Sequence, residues 1–511
     1  MKYVVDQNEM KAIDTYSIEK IGIPSLVLME RAAAAVAQKV EERMMPGDKV
    51  LAVAGSGNNG ADAVAAARIL YNRGYDAAVC FAADEKNFTP ELKKQKEIIR
   101  NLGIREYNNT EPDFKQYTWL IDGLFGIGLS RDVEGRMAQI IQKMNSSGSK
   151  ICAVDIPSGV HAGSGQVMGT CIQAEMTVTF GQNKLGLVLY PGCEHSGEVF
   201  VCDIGFARNA AVLAEPKVRA MEISDIKKYM PARSAYSNKG SYGKLLVIAG
   251  SKGMSGACIL SAGAAYRTGV GLVRVLTCEE NRTIIQQALP EAIVSCYDAE
   301  NPQISEIKAC IQWADTIVAG PGIGTGKASQ MILNTVLSES SVPVIMDADA
   351  LNILAAAFKA KEGVDGLIAF LGRQCPVIVT PHLGEMARLT GRDIAGISRN
   401  LFETCRKFAK RYQVICVLKD ARTVISDSMG TEYVNLSGNN GMATGGSGDV
   451  LSGMIGGLVC QHKDKGQENL KRMAALGVYI HGLSGDEAKK RKGVYGLLAS
   501  DIIKYIAYVI Q

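Results

Sequence analysis

The sequence predicts two α/β domains, each built on a mostly parallel β-sheet with helices over both faces. Three observations carry this reading. The chain has 511 residues, and one hydrophobic core seldom grows past roughly 250–300 residues. Short, continuously apolar runs alternate with helical stretches, the pattern of buried parallel strands and their crossovers. The alternation comes in two series, separated by a mixed, proline-punctuated stretch that places a linker near 208–222. The expected domains are therefore 1–212 and 222–511.

The first series opens with an amphipathic helix expected over about Gln7 to Arg43, stopped by "MMPGDK". Strands follow at "KVLAVAG", "DAAVCFA", "TWLIDGLFG", "KICAVDIPSG", "MTVTFG" and "GEVFVCDIGF", with helices such as "ADAVAAARILYNRG" and "EGRMAQIIQKMNS" between the earlier ones. The second series reads "KLLVIAGS", "GLVRVLT", "DTIVAGPG", "VPVIMDADA", "PVIVTPH", "VICVLKD" and "TVISD", and closes with helices between Val450 and Val509. In such sheets ligands bind beyond the C-terminal ends of the strands. The loops after each apolar run are therefore the places to look for chemistry.

Composition excludes several classes. Apolar residues make up 47% and charged residues 21% of the chain, as in soluble globular proteins. A net charge of +4 without a long basic block argues against nucleic acid or an anionic membrane as partner. No apolar run reaches the roughly 18–20 residues of a membrane span. The start "MKYVVDQNEMKAIDTYS" has no apolar core of a signal peptide. The 13 cysteines are scattered singly, so they are expected as reduced core thiols in the cytoplasm. No pair among the five histidines has metal-ligand spacing.

In the second domain, "ATGGSGDVLSG" places Gly445, Gly446 and Gly448 just before a helix. Free N–H groups and the positive end of the helix dipole suit an anion there. The same field is expected to favour the ionised form of Asp449. A carboxylate beside a phosphate hole can take a proton from an attacking hydroxyl. A helix cap on a tight turn is the plainer alternative. The motif is no Walker A loop, because no Lys-Ser/Thr pair follows the glycines. Lys419 in "LKDARTVISD" could meet nucleotide phosphate or ribose, or simply occupy a solvated hairpin turn. Gly322 in "AGPGIGTG" allows close ligand approach. Asp347, Asp349 and Asn352 in "VIMDADALN" suit Mg²⁺ or polar ligand contacts, or cap the next helix. His382 and Glu385 stand at the strand end "VTPHLGE", and "GSKGMSGA" adds a small-residue loop.

In the first domain, Gly55, Gly57 and Gly60 form GxGxxG between a strand and a helix, and Asp84 ends the next strand. A dinucleotide-binding dehydrogenase is the obvious suggestion. Against it, Asp62 is expected in the helix's first turn, where it would repel a pyrophosphate, and Asn58 and Asn59 bring side-chain amides into the turn. Asp122 ends one strand, and Asp155 and Ser158 end the next. Amide oxygen, carboxylate and hydroxyl together make a hard-oxygen site for a cation.

These motifs carry two family resemblances. "KGSYGKLLVIAGS", "GPGIG", "DADALN", "TPHLGE", "LKD" and "ATGGSGD", in that order over 235–511, resemble the ADP/ATP-dependent NAD(P)H-hydrate dehydratases, with Ala443 where glycine is usual. That resemblance implies a ribokinase-like fold and ADP as phosphoryl donor. It implies Asp449 as the base on the substrate hydroxyl. Lys419, Asp420, Ala421, Arg422, Thr423 and Gly448 would bind the nucleotide. Ala257, Gly322, His382 and Asp449 would contact the hydrated nicotinamide nucleotide. "LMERA", "GNNGAD", "IDGLFGIGL" and "VDIPSG", over about 1–206, resemble the NAD(P)H-hydrate epimerases, with Ala61 and Ala63 where glycines are usual. That resemblance implies a Rossmann-like three-layer fold with K⁺ held by Asn59, Asp122 and Ser158. Substrate contacts would come from Asn58, Asn59, Gly60, Ala61 and Asp62, from Gly126, Ile127, Gly128, Leu129, Ser130, Arg131 and Asp132, and from Asp155 as acid/base residue.

The expected function is repair of hydrated nicotinamide nucleotides, NADHX and NADPHX. R and S forms would be interconverted and the S form dehydrated with ADP and Mg²⁺. A homo-oligomer is expected, with no nucleic acid or membrane partner. The rival is a ribokinase-like kinase of a small alcohol or vitamin precursor with a non-catalytic N-terminal binding domain.

Overall fold

The computed structural model describes residues 1–108, 110–360 and 370–511. It divides into two compact units, Lys2–Val218 and Arg219–Gln511, the latter joined by Met1.

The first unit carries strands β1 (Lys49–Ala54), β2 (Asp76–Phe81), β3 (Arg105–Asn108), β4 (Trp119–Gly123), β5 (Lys150–Val154), β6 (Met176–Phe180) and β7 (Glu198–Cys202). Their order is β3-β2-β1-β4-β5-β6-β7, with every neighbouring pair parallel. Along β1, Val50, Ala52 and Ala54 enter one core while Leu51 and Val53 enter the other. Both faces are buried, which is why the strand reads as an unbroken apolar run. The order reverses between β1 and β4, so the loops leaving these two strands open onto one crevice. Strand β3, "REYN", lies at the edge, where one neighbour and polar side chains suffice. Its polarity hid it in the sequence.

The helical opening expected over Gln7 to Arg43 is corrected to three pieces. It is a helix Gln7–Thr15, a turn of π-helix Tyr16–Lys20, and a second helix Ser25–Glu41. Gly22 at φ +86 and Pro24 break the run. Asp6 and Glu9 form a capping box at the first helix. A short strand Lys2–Val5 precedes it and pairs in parallel with Asn183–Lys184. A second correction concerns Asp62. The helix after β1 starts at Asn58 and runs to Asn72, so Asn58 and Asn59 form its first turn and Asp62 lies in the second.

The second unit carries β8 (Lys244–Ile248), β9 (Leu272–Cys278), β10 (Ile293–Tyr297), β11 (Thr316–Ala319), β12 (Val344–Met346), β13 (Val377–Val379), β14 (Ile415–Leu418), β15 (Val424–Ser426) and β16 (Glu432–Val434). They run in the order β10-β9-β8-β11-β12-β13-β14-β15-β16. Pairs from β10 through β14 are parallel, and the last two pairs are antiparallel. Leu245 and Val247 face one core, Leu246 and Ile248 the other. Here the order reverses between β8 and β11. The helix Ser447–Gln461 lies against helix Ser255–Arg267 with almost no clearance: a Cβ on Gly453 would sit 2.0 Å from the Ser261 carbonyl oxygen. This apolar helix thus uses its interior glycines for close approach, which its sequence alone leaves unread.

Gly453→Ala is therefore expected to destabilise the second unit. Alanine gains up to about 1 kcal/mol of helix propensity, but overpacking costs roughly 1–3 kcal/mol. A lower midpoint of urea unfolding, followed by circular dichroism, checks this; an unchanged or raised midpoint contradicts it.

Candidate active sites

In the second unit the site is assembled from loops at four strand ends and one helix start. Gly446, at φ +87, turns the chain into the helix Ser447–Gln461. L-residues with side chains avoid this left-handed conformation. Asp449 stands in the helix's first turn. Opposite it, the Lys419 ammonium, just past β14, donates to Asp347 Oδ1 at 2.7 Å and lies 3.9 Å from Glu385 Oε2. Gly448 closes over this pair: a Cβ there would come within 3.4 Å of Lys419 Nζ and 3.7 Å of Asp347 Oδ2. Gly448 and Lys419, read from separate motifs, thus form one surface. Their neighbours spread out along the hairpin. Asp420 is half-buried, Ala421 exposed, Arg422 half-buried and Thr423 buried, with the Thr423 hydroxyl donating to the Asp420 carbonyl at 3.1 Å.

Gly322 and Ala257 also meet. A Cβ on Gly322 would approach the Ala257 methyl to 3.0 Å. His382 caps helix Leu383–Thr390, its Nδ1 accepting from the amides of Gly384 and Glu385 at 3.0 and 3.3 Å. The neutral ring therefore carries its proton on Nε2. His382 and Lys419 are bridge partners in parallel register. Asp349 Oδ2 accepts from the Gly324 amide at 2.9 Å, and between Asp347 and Asp349 the non-glycine Ala348 sits at φ +49. Such strained backbone gathers at functional sites.

Electrostatics at Asp449 correct the dipole expectation. Burial and the Asp347 carboxylate push its acid up to about 7, against the pull of Lys419. The helix field is outweighed. Glu385 is likewise pushed up to about 7, by burial first and Asp347 among the charges. Burial lowers the Lys419 ammonium, but Asp347 and Glu385 outweigh it and leave Lys419 above its ordinary value. Burial and Lys419 hold His382 below its usual range. Asp347 entered the sequence reading as a candidate for Mg²⁺ or polar ligand contacts, and Glu385 only as a strand-end residue. Their pairing with Lys419 comes from three different strands and has no local signature.

In the first unit, Asn59 and Ser158 converge on one backbone carbonyl, and Asp122 is joined to them through Ser158. Asn59 Nδ2 donates to the Phe125 oxygen at 3.0 Å, and the Ser158 hydroxyl lies 3.2 Å from the same oxygen. Asp122 Oδ1 accepts from the Ser158 hydroxyl at 2.6 Å and Oδ2 from the Ser158 amide at 2.8 Å. Burial pushes Asp122 up to about 6, although Ser158 and the Leu124 amide pull it back. Gly126 packs on Asn59, 3.3 Å from where its own Cβ would be. Ile127 and Leu129 are half-buried, whereas Gly128, Ser130, Arg131 and Asp132 are exposed.

Asp155 adopts φ +64. Its Oδ1 accepts from Thr179 Oγ1 at 2.9 Å, the Phe180 amide at 3.3 Å and Lys184 Nζ at 2.5 Å. Burial and the Asp155 charge raise Asp62 well above the carboxylate range, and the same two causes raise Asp14. Lys184 and Asp14 escaped the sequence reading. A lysine four residues past a strand and an aspartate inside an amphipathic helix look like ordinary surface positions. Ala61 and Ala63 are wholly buried in the core, Ala63 against Gly123. Their methyl groups pack inward, so the substitutions that supported a non-catalytic first domain have a packing explanation.

The second unit thus presents a glycine-lined helix start with a near-neutral carboxylate in its first turn, on a ribokinase-like α/β fold. The first is a Rossmann-like unit with a hard-oxygen cluster where its strand order reverses. Residues 245–508 match the family described as NAD(P)H-hydrate dehydratase, and residues 25–186 match the family described as YjeF-related protein N-terminus. The bifunctional NAD(P)H-hydrate repair enzyme Nnr of Moorella thermoacetica is 34% identical over 100% of this chain and 97% of its own length. Its counterpart in Coxiella burnetii is 32% identical over 100% of both. A Bacillus subtilis ADP/ATP-dependent NAD(P)H-hydrate dehydratase, co-crystallised with ATP/Mg²⁺, is 31% identical with a TM-score of 0.48 and covers 56% of this chain and 96% of that one. The chain belongs to the family of bifunctional NAD(P)H-hydrate repair enzymes.

The near-neutral acid of Asp449 has a measurable consequence. A raised carboxyl binds its proton more tightly in the folded chain than in the unfolded one. The stability it contributes is present at low pH and is lost as pH rises through about 7. Asp449→Asn is expected to gain thermal stability over the wild type between pH 6 and 8, with the gap widening as pH rises. A gap that stays constant or narrows across that range, measured by differential scanning fluorimetry, contradicts it.

Proposed function

We propose that the first unit interconverts the R and S hydrates of NADH and NADPH, and that the second dehydrates the S form at the expense of ADP. The observation that carries the second half is the placement of Asp449. Its carboxylate, poised near neutrality, adjoins a helix start able to hold a phosphoryl group and faces the Lys419 ammonium. A general base works best when its pKa lies near the working pH. In this reading Lys419 through Thr423 and Gly448 hold the nucleotide, and Ala257, Gly322 and His382 hold the hydrate. Asp449 takes the proton of the hydrate's hydroxyl as its oxygen attacks the terminal phosphorus of ADP, and AMP departs with the bond pair. Phosphate then leaves with the carbon–oxygen pair. The ring nitrogen supplies electrons, and loss of a proton from the neighbouring carbon restores the dihydronicotinamide. Hydroxide is a poor leaving group and phosphate a good one, which gives the nucleotide its purpose.

Among the described residues no three His, Cys, Asp or Glu side chains converge to cage a metal ion. Magnesium needs only one or two carboxylates when substrate phosphates complete its shell. Asp347 and Asp349 would hold it, and their excess of charge over the single Lys419 fits a cation. Bound there, it would neutralise charge developing on the transferred phosphoryl group. In the first unit, Asp122 is buried among neutral donors, a carboxylate short of positive charge. With Asn59 and Ser158 it would hold K⁺, which would organise the crevice for the substrate. Asp155 is the acid/base residue there.

Full-length protein given ADP, Mg²⁺ and S-NADHX is expected to restore the NADH absorbance with one AMP and one phosphate released per turnover. Asp449→Asn is expected to slow this by at least about a hundredfold. A stable phosphoester in place of NADH would establish the small-alcohol kinase reading. With R-NADHX as sole substrate, recovery is expected to require an intact Asp155 and to slow when Na⁺ replaces K⁺. Recovery from the R form at equal rates in wild type and Asp155→Asn would remove the epimerase assignment.

A further inference from the structure

Lys184 has no place in the site as read from sequence, yet it is the most constrained cation of the first unit. Its side chain is wholly buried. Among the described residues its ammonium has three recorded acceptors: Asp155 Oδ1 at 2.5 Å, Thr179 Oγ1 at 2.7 Å and the Phe180 carbonyl at 2.9 Å. An ammonium has three protons to donate, so every one is used inside the protein. The strand Asn183–Lys184 is itself held in register, Lys184 opposite Val5. Burying an ammonium without a partner is costly, and burial does lower its pKa while Asp155 raises it. A buried, saturated lysine is therefore kept for what it does to Asp155.

The recorded donors to Asp155 all reach Oδ1: Lys184, Thr179 and the Phe180 amide. Oδ2 is the oxygen left to turn toward a ligand. Asp155 also shares its surroundings with two further carboxylates, Asp62 from helix Asn58–Asn72 and Asp14 from helix Gln7–Thr15. Among the described residues, Asp155, Asp62 and Asp14 stand here with the Lys184 ammonium, drawn from four segments. Like charges crowded together repel, and Lys184 is the positive charge set directly against this group through Asp155.

We propose that Lys184 is a positioning residue of the epimerase reaction: it clamps Oδ1 of Asp155, aims Oδ2 at the hydrate, and sets one fixed positive charge against Asp155, Asp62 and Asp14. The inference rests on the epimerase reading above.

The test uses the full-length chain, whose second unit reports in the same tube. In Lys184→Met, turnover of R-NADHX, coupled to ADP-dependent dehydration, is expected to lose at least about a hundredfold in kcat. KM should change less than about threefold, while dehydration of S-NADHX stays within about twofold of wild type. The acid limb of the epimerase profile should move to higher pH, because Asp155 loses its counter-charge while Asp62 and Asp14 remain. Lys184→Arg keeps the charge, so its acid limb should stay at the wild-type position even where kcat falls. In an Asp155→Asn background, Lys184→Met should cost no more than about twofold further, since a clamp has nothing left to clamp. Wild-type kcat in Lys184→Met, a shifted limb in Lys184→Arg, or a full multiplicative loss in the double variant would each overturn the inference. Should Lys184→Met fail to fold, Lys184→Arg decides. A wild-type chain that does not epimerise R-NADHX at all would instead remove the reading beneath it.

Discussion

One ammonium set against several carboxylates recurs as the constraint on which both sites depend. In the second unit Lys419 faces Asp347 and Glu385 directly, with Asp449 nearby. In the first, Lys184 faces Asp155, with Asp62 and Asp14 around it. A buried cation with one partner would merely neutralise it. A cation outnumbered by acids leaves at least one carboxyl with its proton affinity lifted toward neutrality. Burial supplies the largest part of that lift, and the like charges add to it. The fold's contribution is to bring these residues from separate strand ends to one place, because parallel strands direct all their following loops to the same edge of the sheet.

That geometry depends on close backbone packing rather than on side-chain bulk. In the second unit the helix bearing Asp449 is pressed onto its neighbour at Gly453. The same helix meets Val318 of β11 at Gly456, where a Cβ would come within 2.4 Å. A helix held off by one methyl layer would carry Asp449 away from Lys419, and Gly448 would no longer close over the Lys419–Asp347 pair. In the first unit Gly55 does the equivalent work: a Cβ there would lie 2.0 Å from the Leu124 carbonyl. It lets the two crevice loops touch.

Much of this was legible in the sequence where the signal is local. The glycine turn before Asp449, the strand-end Asp122, Asp155 and Ser158, and the alternating strands all announce themselves within a few residues. Of Asn59, Asp122 and Ser158, two reach the Phe125 carbonyl oxygen and Asp122 is bonded to Ser158. What stayed hidden is what only tertiary contact creates. Lys184 gains its meaning from Asp155, 29 residues earlier, and Asp347 from Lys419, 72 residues later. Edge strand β3 was missed because a strand with one neighbour need not be apolar. The start of the helix at Asn58 was misplaced by one turn because Gly57, without a side-chain cap, gives no boundary signal. That turn matters: it moves Asp62 off the dipole and into the company of Asp155.

The two sites also differ in a way that suits their tasks. Phosphoryl transfer needs a base beside an anion hole, and repulsion from nearby phosphate raises a carboxyl further as the nucleotide binds. A base already near 7 would then hold its proton too tightly, unless a cation enters with the phosphates. The Lys419 ammonium is already committed to Asp347. On the proposed reaction, neutralisation would arrive with the nucleotide, and the working pKa of Asp449 would belong to the loaded site. Epimerisation delivers no such charge to its crevice through a phosphoryl donor. Its counter-charge has to be built in permanently, and a lysine with all three protons committed, sealed from water, is the form such a fixture takes.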